Sequence, residues 1–247
     1  MPLIEEFQKS GLFLFRWRSY APLIFFTIII ASLDFFHYPF QNHDFDLAWE
    51  ILCIFVGGLG IAVRVLTVAF VPEGTSGRGT GQPSASRLNT TGMYSIVRNP
   101  LYLGNFLTYI APVLFVRIWW VTLLFVLAFI LYYERIIFAE EAFLHNKFGE
   151  DYAVWASKTP AFLPRFRNWT KPDLAFSYKM ALSREYHGVY GLVSTLFLME
   201  LLSDYYIHGK LLFDSFWVVI FFTGTLFYVT IRFLDKKTYF LKTENVR

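Results

Sequence analysis

The stretch Leu88-Asn-Thr-Thr-Gly-Met-Tyr-Ser-Ile-Val-Arg-Asn-Pro-Leu-Tyr-Leu-Gly104 sets Tyr94, Arg98, Asn99 and Tyr102 at the mouth of an apolar run. Further along, Tyr132-Tyr-Glu-Arg-Ile-Ile-Phe-Ala-Glu-Glu141 leaves the next apolar run with a second polar cluster. Polar and ionisable groups at a membrane boundary cost free energy and usually serve a function. Tyrosines, an arginine, an amide and carboxylates gathered at one end of a helical hairpin make a site. The reading they support is a membrane-embedded enzyme.

The apolar runs must position these groups. Of the 247 residues, 55% are hydrophobic, above the ~45–50% of soluble domains, and the excess points to lipid. Runs near 15–36, 47–71, 100–116, 118–138, 188–207 and 214–234 meet or approach the length of about 20 residues that crosses a bilayer. The expected fold is therefore all-α, a polytopic membrane helical bundle of about six transmembrane helices. Pro100 suits the first turn of a helix, and the fourth run follows the third after almost no loop, which predicts a tight helical hairpin over 100–138. The start Met1-Pro-Leu-Ile-Glu-Glu lacks a basic segment and a small-residue cleavage site, so the first run is read as a retained span. The single cysteine, Cys53, excludes a disulfide framework and a Cys-based metal site. It reads as a small buried hydrophobe, and no metal is expected.

Charge placement gives a topology. All of the 22 Lys and Arg except Arg64, Arg117 and Lys210 fall before or at the very start of the first run, in 72–99, in 135–187 or from Arg232 onward. The positive-inside rule then puts both termini in the cytoplasm, in a bacterial inner membrane or an endomembrane. The acidic loop from Asp34 to Asp46 and the Asp204–Asp214 turn take the opposite face. The net charge of +3 is the residue of this bias and gives no ground for a nucleic-acid partner. The chain reads as one integral membrane domain, 1–247. The Gly- and Pro-rich stretch 72–83 is a loop by its turn chemistry, and it lies beside both polar clusters. Residues 139–160 alternate charged and aromatic groups, as an interfacial helix does, and the Pro-containing stretch 160–172 ends that unit. The last two runs, within 184–247, read as an additional C-terminal helical hairpin.

Gly92-x-Tyr94-x3-Arg98-Asn-Pro100-x-Tyr102-x-Gly104 resembles the core motif of the isoprenylcysteine carboxyl methyltransferase and phospholipid methyltransferase superfamily. Glu140-Glu141, Leu144, Phe148-Gly149, Tyr152, Pro160 and Pro164 match its second half. The resemblance covers roughly 55–165 and implies a methyltransferase core over 47–165. It implies S-adenosylmethionine bound in a pocket on the cytoplasmic side and a membrane lipid or lipidated acceptor entering from the bilayer, with no obligate protein partner. Tyr94, Pro100, Leu101, Tyr102 and Glu140 fall on cofactor-contacting positions, Leu88 on the adenosine side, and Gln82, after a gap, close to a cofactor-contacting glutamine. Methyl transfer from a sulfonium is an in-line displacement, so the protein chiefly positions donor and acceptor. In that role Glu140 accepts hydrogen bonds from the ammonium or the ribose, and the faces of Tyr94 and Tyr102 attract the cationic end. Arg98 offers a planar fork to the cofactor carboxylate or to an anionic substrate group.

Two positions depart from the family pattern. Asn99 stands where a histidine is usual; on the cofactor side its amide donates and accepts hydrogen bonds but cannot act as a base. Arg135 precedes Glu140 by five residues where relatives show four, the spacing that shares a helix face. On a regular helix the two point about 140° apart. A π-bulge accommodates one extra residue and favours functional sites, so a bulge is expected between them, giving Arg135 a catalytic role beside Arg98.

Other residues admit two readings. Arg64, within the second run, is either half of a structural ion pair or a contact to an anionic substrate. Arg78 and Arg87, with Arg98, suit a phosphorylated lipid head group or phosphatidylethanolamine, but the positive-inside bias yields the same cations, so the head group stays open. Glu141 and His145 share a helix face with Glu134, more in keeping with a salt-bridge face than a metal pair. Trp119-Trp120, Tyr132-Tyr133 and Tyr205-Tyr206 read as aromatic belts, with Tyr132 or Tyr133 also able to edge the cofactor site. Gly57-Gly58-x-Gly60 reads as a close helix-packing face. The alternative enzyme is an NADPH-dependent membrane reductase of the sterol-reductase type, which shares an Arg-His-Pro-x-Tyr motif; Leu101 before Tyr102 favours the methyltransferase. A transporter or scaffold built around Arg64 leaves the convergence of the two motifs unexplained.

Overall fold

The computed structural model describes residues 2–35, 43–72, 75 and 83–241. Among these the chain forms nine α-helices and no strand. They are α1 (Leu3–Trp17), α2 (Ala21–Ala31), α3 (His43–Val68), α4 (Met93–Ile96), α5 (Pro100–Phe115), α6 (Trp119–Phe148), α7 (Glu150–Lys158), α8 (Tyr178–His208) and α9 (Ser215–Lys237). Phe45–Val68 of α3, all of α6 and all of α9 are long and apolar enough to cross a membrane. The other expected runs fall short for separate reasons. α5 is apolar but has only 16 residues, α8 carries Lys179, Arg184, Glu185, Glu200 and Asp204 along its length, and the first run is broken.

That break matters for the site. The run over 15–36 is not one helix: α1 stops at Trp17, Arg18–Tyr20 turn, and Pro22 lies in the first turn of α2, where its missing N–H costs nothing. The 11 residues of α2 rise roughly 16 Å, against about 30 Å of hydrocarbon core. Both pieces pack along α6. Phe7 meets Phe138 at 5.7 Å and Gly11 lies against Arg135 and Ala139, while Phe25 meets Phe125 at 4.9 Å. The Tyr132 hydroxyl donates to the Leu14 carbonyl at 3.1 Å, so the break sits level with the second polar cluster.

α3 and α5 approach through glycine, as the Gly-rich pattern in α3 leads one to expect. A Cβ on Gly60 would fall 2.7 Å from the Gly104 carbonyl oxygen, and one on Gly104 would fall 2.9 Å from the Gly60 carbonyl oxygen. Gly57 faces Ala111 and Leu192, whereas Gly58 has open space. The expected hairpin of α5 and α6 turns through Val116–Ile118, with Arg117 left-handed at φ 57° and ion-paired to Asp46. Cys53 is fully buried. Phe106, Phe125, Phe129, Tyr133 and Tyr102 form a continuous aromatic column through the core. α8 packs against both α3 and α5 and returns as α9.

Candidate functional site

A cavity of about 880 Å³ opens between the α1–α2 break, α3, α5, α6 and α8. Ligand pockets typically span about 300–1,000 Å³. The first polar cluster contributes Tyr94, Arg98, Asn99, Pro100, Leu101 and Tyr102 to its wall, and the second contributes Tyr133, Glu140, Phe143 and Leu144. Leu88 and Arg87 line it as well. The two motifs, remote in sequence, therefore converge. The Tyr102 hydroxyl lies beside the Glu140 carboxylate, and its ring lies 4.9 Å from that of Tyr133. Burial around Tyr94, with the nearby Glu140 charge as a smaller cause, pushes its phenol well above the ordinary range. It remains a neutral hydroxyl at any physiological pH.

Arg98 is held on the cavity wall by protein groups. Its Nε and Nη2 donate to the two Glu141 oxygens at 2.8 and 3.1 Å, and its Nη1 donates to the carbonyls of Ala156 and Thr159, both at 2.9 Å. Those carbonyls belong to the last turn of α7, where a cation also meets the negative end of the helix. Asn99 donates from Nδ2 to the Ala161 carbonyl at 3.0 Å and to Glu141 at 3.4 Å. Backbone bonds from Arg98 to Pro160, from Arg165 to Ile96 and from Gly92 to Thr170 bind the same segment. Residues 159–170 are thus strapped across the first motif. Arg98 and Asn99, expected in a catalytic role and at the cofactor, line the cavity while their donors hold the strap. The amide at 99 suits it, since one nitrogen with two hydrogens serves both acceptors.

Arg98→Lys keeps the charge but not the fork. Losing at least two of these bonds is expected to cost about 1–3 kcal/mol. In a chain of this size that lowers Tm by roughly 2–4 °C per kcal/mol, readable by thermal unfolding in detergent. An unchanged Tm would return Arg98 to the ligand.

The remaining expectations sort in the same way. Arg64 donates from Nε and Nη2 to both oxygens of Glu185, at 2.7 and 2.9 Å, and from Nη1 to Asn105 Oδ1. It lines the cavity as half of an ion pair, the first of the two readings its sequence position admits. α6 is unbroken α-helix from Trp119 to Phe148, so the π-bulge is absent. Arg135 accordingly points away from Glu140: its guanidinium lies 3.6 Å over the Phe7 ring and its Nη1 is 3.5 Å from Ser10 Oγ, off the cavity wall. Arg87 pairs with Asp173 at 2.9 Å, both largely exposed. Arg78 and Gln82 lie outside the described residues. Glu141 is a salt-bridge residue as read, with Arg98 as its partner. Trp119, Tyr205 and Tyr206 are exposed as belt residues are, but Tyr133 is buried on the cavity wall and Tyr132 is tied to Leu14.

Sequence reasoning missed Arg18 and Glu185. Arg18, at the α1–α2 break, brings Nη1 to 3.9 Å from Glu140 Oε1, and its guanidinium lies 3.7 Å over the Phe15 ring. The available signal was Pro22, four residues on, which marks a helix restart. Glu185, only 2% exposed, was legible as an acid at the start of an apolar run, but nothing local named its partner.

The family model described as phospholipid methyltransferase matches residues 52–151, which hold both polar clusters. The cobalt-zinc-cadmium resistance protein CzcN of Cupriavidus metallidurans is 31% identical over 184 residues, covering 72% of this chain and 80% of that protein. The chain belongs to the phospholipid methyltransferase family. A second member-like relative, the nickel-cobalt-cadmium resistance protein NccN of Alcaligenes xylosoxydans xylosoxydans, is 33% identical over 165 residues, covering 66% of this chain and 72% of that protein. No solved structure matches. Membership in a family of membrane methyltransferases accords with the spanning helices, and the chain is a membrane protein. In this phospholipid methyltransferase family member the matched region runs from within α3 to the start of α7. Arg18 and Glu185 fall outside it. Among the described residues no group of three or more His, Cys, Asp or Glu side chains is placed to hold a metal ion.

Proposed function

We propose that this protein transfers a methyl group from S-adenosylmethionine to a membrane lipid or lipidated acceptor that reaches the cavity from the bilayer. The observation that carries the reading is the meeting of Tyr102 and Glu140 beside Tyr94 in a single cavity. When bound, the cofactor supplies an electrophilic methyl group on a cationic sulfur. The wall suits such a ligand in kind: aromatic faces for a cation, a carboxylate for donors, and Leu88, Pro100 and Leu101 as an apolar shelf. An in-line displacement asks little more of the protein than positioning and exclusion of water.

The α8 wall, with Gly188, Gly191, Leu192 and Thr195, offers small and apolar surface to the body of the acceptor. On this reading the 184–247 hairpin completes the 47–165 core rather than merely extending it. Among the described residues, arginines on the wall face carboxylates: Arg18 with Glu140, Arg64 with Glu185, Arg98 with Glu141 and Arg87 with Asp173. That pairing favours a neutral or zwitterionic head group over a lipid phosphate gripped by several arginines. On this reading both termini and the cavity mouth face the cytoplasm, the orientation that the bias of Lys and Arg favours. The names of the two relatives bring to this reading a setting of resistance to cobalt, zinc, nickel and cadmium.

The test is calorimetry of the purified protein in detergent with S-adenosylhomocysteine and with NADPH. Binding of the first and not the second is expected; NADPH binding alone would establish the reductase instead. Lipid mass spectrometry of a deletion strain, searching for a species lighter by one methyl group, then identifies the acceptor.

A further inference from the structure

We infer that Tyr133 is a substrate-binding residue: a chain of hydrogen bonds from Glu185 through Arg64 and Asn105 turns its hydroxyl proton into the cavity, onto an oxygen of the acceptor lipid. The inference rests on the methyl-transfer reading above and deepens it by naming a group that holds the acceptor. A hydrogen-bond chain has a direction. One member that can only donate sets that direction for all the others.

Arg64 is that member, because a guanidinium carries N–H donors and no acceptor. Its Nε and Nη2 go to Glu185, and its Nη1 donates to Asn105 Oδ1. With the amide oxygen engaged there, the amide nitrogen is left for α6. Asn105 Nδ2 lies 3.5 Å from the Tyr133 hydroxyl oxygen, which accepts. A phenol has one proton, and an oxygen that meets a donor on one side sends that proton elsewhere. Among the described residues no protein group receives it, and Tyr133 lies on the cavity wall. Its ring is held by Phe129, stacked at 4.2 Å, and by Tyr102 at 4.9 Å. The hydroxyl is therefore fixed in place as well as in direction.

Its position suits the acceptor rather than the cofactor. Tyr133 precedes Glu140 by seven residues on α6, a rise of roughly 10 Å. Asn105 likewise follows Tyr102 by three residues on α5. This stretch of wall is thus farther into the α5–α6 hairpin than the meeting point of Tyr102 and Glu140. Tyr109, four residues after Asn105 and on the same face, lines the cavity too, and among the described residues no protein group accepts from its hydroxyl. Two neutral donors therefore stand near an arginine already neutralised by Glu185. A polar group buried without a partner costs free energy, so each hydroxyl favours a ligand atom that accepts. An ester carbonyl oxygen does so; a bare hydrocarbon chain does not.

The experiment uses the full chain in vesicles of membrane lipid from a deletion strain. It reads transfer of label from S-adenosylmethionine to lipid, beside S-adenosylhomocysteine affinity. Tyr133→Phe deletes the hydroxyl and keeps the ring. It is expected to lower kcat/KM for lipid by about 3–10-fold, the effect of one neutral hydrogen bond, mainly through KM. Its S-adenosylhomocysteine affinity stays within about twofold of wild type, which also certifies that the variant is folded. Asn105, which acts through Tyr133, is a positioning residue, and Asn105→Asp tests the direction of the chain. The carboxylate still accepts from Arg64 but donates nothing, so it draws the Tyr133 proton away from the cavity. It should match Tyr133→Phe, and the double variant should be no worse than either alone. Unchanged transfer by Tyr133→Phe, or an equal loss of nucleoside affinity, overturns the role of Tyr133. Additive losses in the double variant overturn the chain. A wild-type protein that binds the nucleoside but labels no lipid removes the methyl-transfer reading itself, and this role with it.

Discussion

Glu140→Ala is expected to lower S-adenosylhomocysteine affinity by roughly 10–100-fold, because two effects act in one direction. The variant loses the acceptor for the ligand's ammonium, a charged hydrogen bond worth about 1.5–3 kcal/mol. It also removes the carboxylate beside the Tyr102 hydroxyl. Glu141→Ala is the matched contrast one residue away. Glu141 receives two bonds from Arg98 and one from Asn99. Its loss should reduce Tm while leaving nucleoside affinity nearly intact. Calorimetry and thermal unfolding on both variants read the two effects apart. If Glu141→Ala loses the ligand and Glu140→Ala loses the fold, the adjacent glutamates have been assigned the wrong way round.

The sequence speaks plainly where local spacing decides the outcome. The α5–α6 hairpin, the glycine face of α3 and the burial of Cys53 all follow from composition and periodicity within one or two helices. The convergence of Tyr94, Tyr102 and Glu140 follows from two motifs at either end of that hairpin. Spacing stops short of naming a partner on a third helix. Arg64 and Glu185 are 121 positions apart, and no pattern within α3 reveals which carboxylate closes on it.

Arg135 shows the same limit in sharper form. The helical angle of about 140° between Arg135 and Glu140 holds, and no bulge cancels it. The helix stayed regular, Arg135 turned to α1, and a different arginine arrived beside Glu140 from a break in the first apolar run. Tyr132 and Tyr133 fail as a belt pair for a related reason. Neighbours on a helix point about 100° apart, so one faces Leu14 and the other the cavity.

Arg64→Ala is expected to destabilise the protein by about 3–5 kcal/mol, the cost of leaving one member of a buried ion pair uncompensated. Glu185 is 2% exposed and receives two hydrogen bonds from Arg64. Asn105 loses its donor in the same change. At roughly 2–4 °C per kcal/mol, the fall in Tm is large enough to read in detergent. Glu185→Ala should cost a similar amount by stranding the guanidinium. The double variant Arg64→Met, Glu185→Leu is expected to recover most of the loss, since apolar side chains of similar size often replace a buried pair at little cost. The coupling energy in the resulting cycle then measures the pair directly. The stable double variant also decides what the pair is for. If it binds S-adenosylhomocysteine normally and still methylates membrane lipid, Arg64 and Glu185 hold α3 to α8. If it keeps the nucleoside but loses methyl transfer, the acceptor rests on them after all.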